Sequence, residues 1–356
     1  MKKNIIPLIL VALTACLQGC QNQQKEEAAS AISTDKIDSS FVLPEVRPFA
    51  QAHASTLVHL QDDTFLIAWF GGTKEKDNDV GIWLTKGDGK QWSAPVEIAK
   101  IREVPHWNPV LFKDANNDII LFFKVGSEIS IWETWYIKSS DQGATWSTAQ
   151  ELVAGDKGGR GPVRNKPIVL SDGSWLAGAS NEDGVWRPFV DISKDQGKTW
   201  EASKYLTFNV DSLGGEGMIQ PTLWESDPGN VHMLLRSSGG YIYRSDSKDY
   251  GKTWNPPYKI DLPNPNSGID LVKMEDGLLC LLYNPDNKNW GSRADLRLAV
   301  SKDNGKTWKD LIDLEKGKEG DEYSYPAIIQ WGDHIAMTYT WNRSNIAFKH
   351  FKINDK

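Results

Sequence analysis

The sequence predicts an all-β fold, a six-bladed β-propeller, and three observations carry that expectation. An eight-residue motif recurs as SSDQGATW at 139–146, SKDQGKTW at 193–200, SKDYGKTW at 247–254 and SKDNGKTW at 301–308, with a weaker TKGDGKQW at 85–92. The closing tryptophans, Trp92, Trp146, Trp200, Trp254 and Trp308, follow one another every 54 residues, and a fixed period of that length marks a repeat architecture. Between motifs, short apolar runs such as STLVHL, TFLIAWF and VGIWLT alternate with turn signals and show no sustained helical period. Residues 41–353 hold close to six such units, and four-stranded units of this size close radially. A β-helix, the rival repeat fold, uses much shorter repeats.

Each element follows in order. The first twenty residues, MKKNIIPLILVALTACLQGC, place two lysines before an apolar run too short for a durable membrane span. LTAC and LQGC each fit a bacterial lipoprotein cleavage box. The expectation is therefore an exported lipoprotein, periplasmic or on the outer membrane or cell surface, lipidated at Cys16 or Cys20. A plain secretory signal is the alternative. Residues 21–40 are polar and read as a flexible tether. The propeller then takes 41–356, with 41–50 (FVLPEVRPFA) as the strand that completes the last blade. The repeats open near His53, His106, Val163, Gly215 and Ser267, and a sixth, without the motif, opens near Glu322.

Composition narrows the function. Charged residues are 24% and hydrophobic residues 40%, an ordinary globular balance. The net charge of −7 gives no support for nucleic-acid binding. Cys280 is the only cysteine within the repeats, which excludes an internal disulfide framework and a cysteine metal site. No metal cluster or phosphate loop stands out, so no cofactor is expected. A monomer is expected, touching a membrane only through the lipid anchor. Of the 16 tryptophans, five close the motifs. Trp107, Trp186, Trp290 and Trp341 lie near predicted strand ends, where they pack blades or stack on sugar rings.

In the motif Ser-x-Asp-x-Gly-x-Thr-Trp, Ser and Asp side chains bond backbone N–H groups of a tight turn, Gly supplies a positive φ, and Trp packs beneath. The motif resembles the Asp-box, or BNR repeat, of sialidases. That resemblance places the clips on an outer rim and the chemistry at the other end of the channel, where the repeats open. Arg164, Lys166, Arg236 and Arg293 occupy such openings, and converging guanidinium groups imply an anionic substrate.

The resemblance extends to single positions. Sialidases carry a Glu and, about twenty residues later, an Arg just before an Asp-box; here these are Glu216 and Arg236. An Arg-Ala-Asp-Leu tract gives Arg293. A Tyr-Ser tract opening the last blade gives Tyr323 as nucleophile, with Tyr325 close enough to be confused with it. A loop of the first blade gives Asp79 as acid/base, with Glu75 and Asp77 sharing that loop. The implied chemistry is retaining hydrolysis of a terminal acidic sugar, one of the exceptions to the two-carboxylate scheme. The departures are equally specific. The family's first arginine has no counterpart in Gln51–Thr56, nor its bracing Glu in Thr338-Tyr339-Thr340. The pocket is then rebuilt around His53, with Arg47 or Arg164 as arginines within reach, and with His106 and Asn108 as further substrate contacts. Two other readings stand beside the hydrolase: a propeller polysaccharide lyase acting on uronates, and a carbohydrate-binding lipoprotein without turnover.

Overall fold

The computed structural model describes residues 32–354. The lipoprotein box and both of its cysteines lie outside the described residues. Six antiparallel sheets are arranged as six blades. Their innermost strands are Gln51–His59, His106–Lys113, Ile168–Val169, Met218–Asp227, Asp270–Lys273 and Tyr323–Trp331. In each of the first five blades three further strands follow in sequence order from the centre outward. The sixth blade supplies three strands from the C-terminus. Its outermost strand is Asp38–Phe41, paired to Asn345–Asn354 with Ser39 opposite Lys349, and Ser33–Thr34 continues along the same edge. N-terminal strand thus closes on C-terminal strand. The closing strand lies just ahead of the expected 41–50 segment, and the stretch expected to be tether joins the sheet from Ser33. Residues beyond Phe41 continue the pairing only through Val42, whose N–H donates to Ile346.

The 54-residue period has a packing cause. In the clip at 139–146, the Ser139 hydroxyl accepts from Gly143 N–H at 2.8 Å and Asp141 accepts from Thr145 N–H at 2.8 Å. The Trp146 indole N–H returns to the Gly143 carbonyl at 3.1 Å. The same three bonds recur in the clips that end at Trp200 and Trp254. Each clip tryptophan then fills the seam to the preceding blade. Trp200 of blade three packs edge-on to Phe122 of blade two, and Trp92 of blade one to Phe348 of blade six. Gly143, at φ 85°, sits so close to Leu66 of blade one that a Cβ would lie 2.6 Å from its Cδ1. The motif therefore repeats because every seam needs the same wedge. In the weaker clip, Trp92 donates to the Ser40 hydroxyl of the closing strand, so the first clip also locks the ring.

The innermost strands of blades one, two, four and six break register between His53 and Thr56, Trp107 and Val110, Ile219 and Thr222, and Ser324 and Ala327. Inside these bulges Ala54, Asn108, Gln220 and Tyr325 adopt positive φ (56°, 41°, 56° and 52°). Bulges re-aim side chains. Here they do so at one end of the channel, where the loops between second and third strands also converge. The clips, between third and fourth strands, lie at the other end.

Candidate active site

Tyr325 sits in the blade-six bulge, half-buried. Its phenol oxygen accepts from Nη1 of Arg236 at 2.7 Å. The guanidinium groups of Arg164, Arg236 and Arg293 lie 5.4, 5.6 and 5.6 Å from its ring centre. The His53 ring lies 4.3 Å away, centre to centre. One phenol is therefore surrounded by three cations drawn from three other blades.

Each cation is held differently. Arg236 ends the second strand of blade four, 2% exposed. Its Nε donates to Asn266 at 2.7 Å and its Nη1 to Gln220 at 3.2 Å. The Trp186 and Trp290 rings lie 5.8 and 5.6 Å from it, so it is walled by aromatic faces. Arg293 donates to Glu322 at 3.3 Å and to the Asn266 carbonyl at 3.2 Å, and burial holds its pKa below the ordinary arginine value. Arg343, on the turn between the last two strands, donates to Glu322 at 2.7 Å and to Glu75. Burial opposes its charge, but these two carboxylates outweigh it and hold its pKa above the ordinary value. Glu322 bridges Arg293 and Arg343. Burial pushes its pKa up, but Arg343, the Ser324 hydroxyl and Arg293 together outweigh it, and the net shift is downward.

His53 is 2% exposed. Its Nδ1 meets the Thr340 hydroxyl at 2.8 Å and its Nε2 faces Arg343 at 3.5 Å. Burial first, then the fields of Arg343, Arg293, Arg164 and Arg236, hold its pKa well below 6.5. The ring is neutral, and because an arginine can only donate, Nε2 is the acceptor.

The structure brings together Arg236, Arg293, Arg164 and His53 of the sequence-predicted set. It places others elsewhere. Tyr323, 7% exposed, packs 4.6 Å from the Trp341 ring in the core between blades five and six, and burial raises its pKa. The residue among the arginines is Tyr325, because the bulge after Ser324 turns it into the mouth. Glu216 stands at the rim, accepting from Trp290 at 3.1 Å and from Asn289 at 3.5 Å. Asp79 is exposed and accepts from the Thr73 hydroxyl and N–H at 2.7 and 2.8 Å, bonds that lower its pKa and keep it charged. Of its loop neighbours, Asp77 is exposed and Glu75 pairs with Arg343.

Three predicted contacts are structural. Arg164 points beneath the ring, where one Nη donates to the carbonyls of Ser55, Tyr325 and Pro326 at 3.2, 2.5 and 3.0 Å and so pins the bulge. His106 is a core histidine, accepting from Ile101 N–H at 2.7 Å and meeting the Val104 carbonyl at 2.9 Å; burial lowers its pKa to about 4. Asn108 ties blade two to the Val163 carbonyl at 3.0 Å. Arg47 bonds the Pro44 and Ser344 carbonyls at the surface. Lys166 pairs with Asp270 at 2.9 Å. Arg343, Glu322, Gln220 and Asn266 escaped the sequence reading. The available signal for Arg343 was its place in a turn between second and third strands, the kind of loop that also carries Arg293.

Residues 63–337 match the model of the BNR repeat-like domain. The chain belongs to the BNR repeat-like domain family. Its propeller is sialidase-like. This BNR repeat-like chain is 26% identical over 235 residues to a sialidase of Bacteroides fragilis, covering 61% of this chain and 41% of that one. It is 27% identical over 203 residues to a sialidase of Paraclostridium sordellii, covering 48% of each. It thus spans less than half the length of these curated relatives. Among solved structures, a protein of unknown function from Dyadobacter fermentans superposes with a TM-score of 0.75 at 16% identity, covering 90% of this chain and all of the other. The NanB sialidase of Streptococcus pneumoniae gives 0.67 at 13%, covering 89% and 70%. At such identities the superpositions speak for the fold alone.

Proposed function

We propose that this BNR repeat-like protein is an exo-acting glycosidase that releases a terminal acidic sugar with retention of configuration. The observation that carries the reading is the contact of Tyr325 with Arg236 inside a mouth shared with Arg293 and Arg343. Guanidinium groups pair with carboxylates through parallel hydrogen bonds, so the substrate carboxylate docks against Arg236 and Arg293. Arg343 supplies the third cation. It takes the place left by the arginine missing from Gln51–Thr56, and Glu322 and Glu75 brace it. Tyr325 attacks the anomeric carbon through its phenol oxygen, to which Arg236 donates, and its proton passes to solvent. The exposed Trp290 and its neighbour Trp186 frame the entrance and stack on sugar faces.

One observation favours a lyase as the second reading. The neutral His53 packs on Tyr325, and an amide, Gln220, rather than a carboxylate shares Arg236 with the phenol. A histidine–tyrosine pair beside arginines suits proton abstraction next to a neutralised uronate carboxylate. The test is incubation of purified protein with sialosides, ulosonic-acid conjugates and uronate-capped glycans, with products identified by mass and ultraviolet absorbance. A hydrolase adds water to its products. A lyase leaves an unsaturated, absorbing sugar. Binding without any product would leave a carbohydrate-binding protein.

A further inference from the structure

Arg236 and Arg293 come from different blades, and one residue touches both. Asn266 lies in the link from the outer strand of blade four, Tyr258–Pro263, to the inner strand of blade five, Asp270–Lys273, and is fully buried. Its Oδ1 accepts from Arg236 Nε at 2.7 Å, and its backbone carbonyl accepts from Arg293 Nη2 at 3.2 Å. Its Nδ2 donates to Asn289 Oδ1 at 2.9 Å, on the loop that also carries Trp290 and Arg293. The backbone sits at φ 57°, in the left-handed region that asparagine tolerates better than most residues. The turn itself is closed by Asn264, which accepts from Ser267 N–H at 3.0 Å and donates to the Ser267 carbonyl at 3.1 Å. The Asn266 side chain is thus left to the mouth.

The partners of Arg236 share a property. They are two amides, Asn266 and Gln220, and a phenol, Tyr325. Among the described residues no carboxylate pairs with this guanidinium, whereas Arg293 and Arg343 both pair with Glu322. The Arg236 side chain is 2% exposed, yet its Nη2 has no acceptor among the described residues and is not sealed from solvent. A buried charge is costly without a counter-ion. A guanidinium fixed by neutral groups, its own charge uncompensated, takes an incoming carboxylate with little rearrangement. An aspartate or glutamate in place of either amide would form the ion pair itself, and a substrate carboxylate would then have to displace it.

Resting on the reading of the mouth as an acidic-sugar site, we propose that Asn266 is its positioning and specificity-determining residue. It sets Arg236 and Arg293 against one substrate carboxylate. Being an amide, it leaves the charge of Arg236 to that carboxylate, so the site prefers an anionic sugar to its neutral counterpart.

The experiment compares the wild type with Asn266→Gly and Asn266→Asp on the nitrophenyl glycosides of N-acetylneuraminic acid, a deoxy-ulosonic acid and glucuronic acid, each as the acid and as its methyl ester. Glycine adopts the same φ and keeps the backbone carbonyl; aspartate keeps the acceptor and the shape but adds a charge. Thermal melting confirms folding, and if the glycine variant melts early the aspartate variant decides alone. Independently of turnover, hydrogen exchange of the Arg236 Nε–H is followed by nuclear magnetic resonance, the signal being identified by its absence from Arg236→Lys. The wild type is expected to prefer the acid to the ester. Asn266→Gly should raise KM for the acid by about tenfold or more, with a smaller change in kcat, and speed exchange of the Nε–H. Asn266→Asp should keep the Nε–H protected and yet lower the acid-to-ester ratio of kcat/KM by about tenfold or more, a change that altered packing alone does not produce. An unchanged ratio in the aspartate variant, or unchanged KM and exchange in the glycine variant, overturns the role of Asn266 while leaving the hydrolase standing. A wild type that turns over none of these glycosides, or takes acid and ester alike, overturns the acidic-sugar site, and the role of Asn266 with it.

Discussion

The phenol oxygen of Tyr325 lies 2.7 Å from Nη1 of Arg236, a contact between residues 89 apart in sequence that joins blade six to blade four past blade five. The contact depends on local backbone geometry. The bulge after Ser324 holds Tyr325 at φ 52°, and Arg164 holds the bulge by its carbonyls. In the proposed mechanism, substrate recognition and nucleophile placement therefore share one network.

The two tyrosines of blade six have separable roles. Tyr325→Phe is expected to lower turnover by at least about 10³-fold, since covalent catalysis loses its oxygen, with little change in melting temperature. Tyr323→Phe keeps the ring packed on Trp341 and is expected to change stability little and to keep kcat within a few-fold. Steady-state kinetics and denaturant melts on both variants check this.

This pair also shows what was legible in the sequence and what was not. The ring of six blades could be read because Trp146, Trp200 and Trp254 each wedge a seam, and a wedge used repeatedly writes a period into the chain. The arginines Arg236 and Arg293 could be read because they stand near the ends of strands already located by that period. Tyr325 could not be singled out. Strict strand alternation gives Tyr323 and Tyr325 the same side, and only the bulge separates them. Arg343 was hidden by its turn, where Asn342 and Arg343 both take positive φ and look like an ordinary reversal. His106 looked like a ligand contact because its partners, Ile101 N–H and the Val104 carbonyl, are backbone atoms that no side-chain pattern reveals.

Arg343 should behave as a substrate-binding arginine. Arg343→Ala is expected to raise KM by about ten- to a hundredfold, the effect of about 1.4 to 2.8 kcal/mol of lost binding. Arg343→Lys should restore little, because an ammonium cannot bond Glu322 and Glu75 through a planar fork. Glu322→Gln should raise KM in the same direction by loosening Arg293 and Arg343 together. Initial-rate measurements over a substrate range decide each case.

His53 should stay neutral well below its usual titration range. Its folded pKa is depressed, so below about 6.5 the unfolded chain takes up a proton that the folded chain refuses. The stability contributed by keeping it neutral is full above 6.5 and falls as pH drops below it. Nuclear magnetic resonance of the labelled imidazole should show no titration as pH falls through 6.5, and His53→Gln should flatten the loss of stability below that pH.

The clips should fail in acid. Hydrogen bonds from Thr145, Thr199 and Thr307 lower the pKa of Asp141, Asp195 and Asp303 to about 2, from an ordinary 3.8. The stability they contribute is therefore full above about 3.8 and is lost as pH falls toward 2. Melting temperature should drop steeply across that interval. Asp195→Asn should lower it at neutral pH and make the acid drop shallower.

The most direct measurement is to trap the sugar on the enzyme. A fluorine beside the anomeric carbon slows release of a glycosyl-enzyme, so an acidic fluorosugar carrying a good leaving group should accumulate as an adduct. Peptide mapping by mass spectrometry should find it on Tyr325 and should find none on the Tyr325→Phe variant. An adduct on Tyr323 or Glu216, or steady turnover of the natural substrate by Tyr325→Phe, would contradict the account.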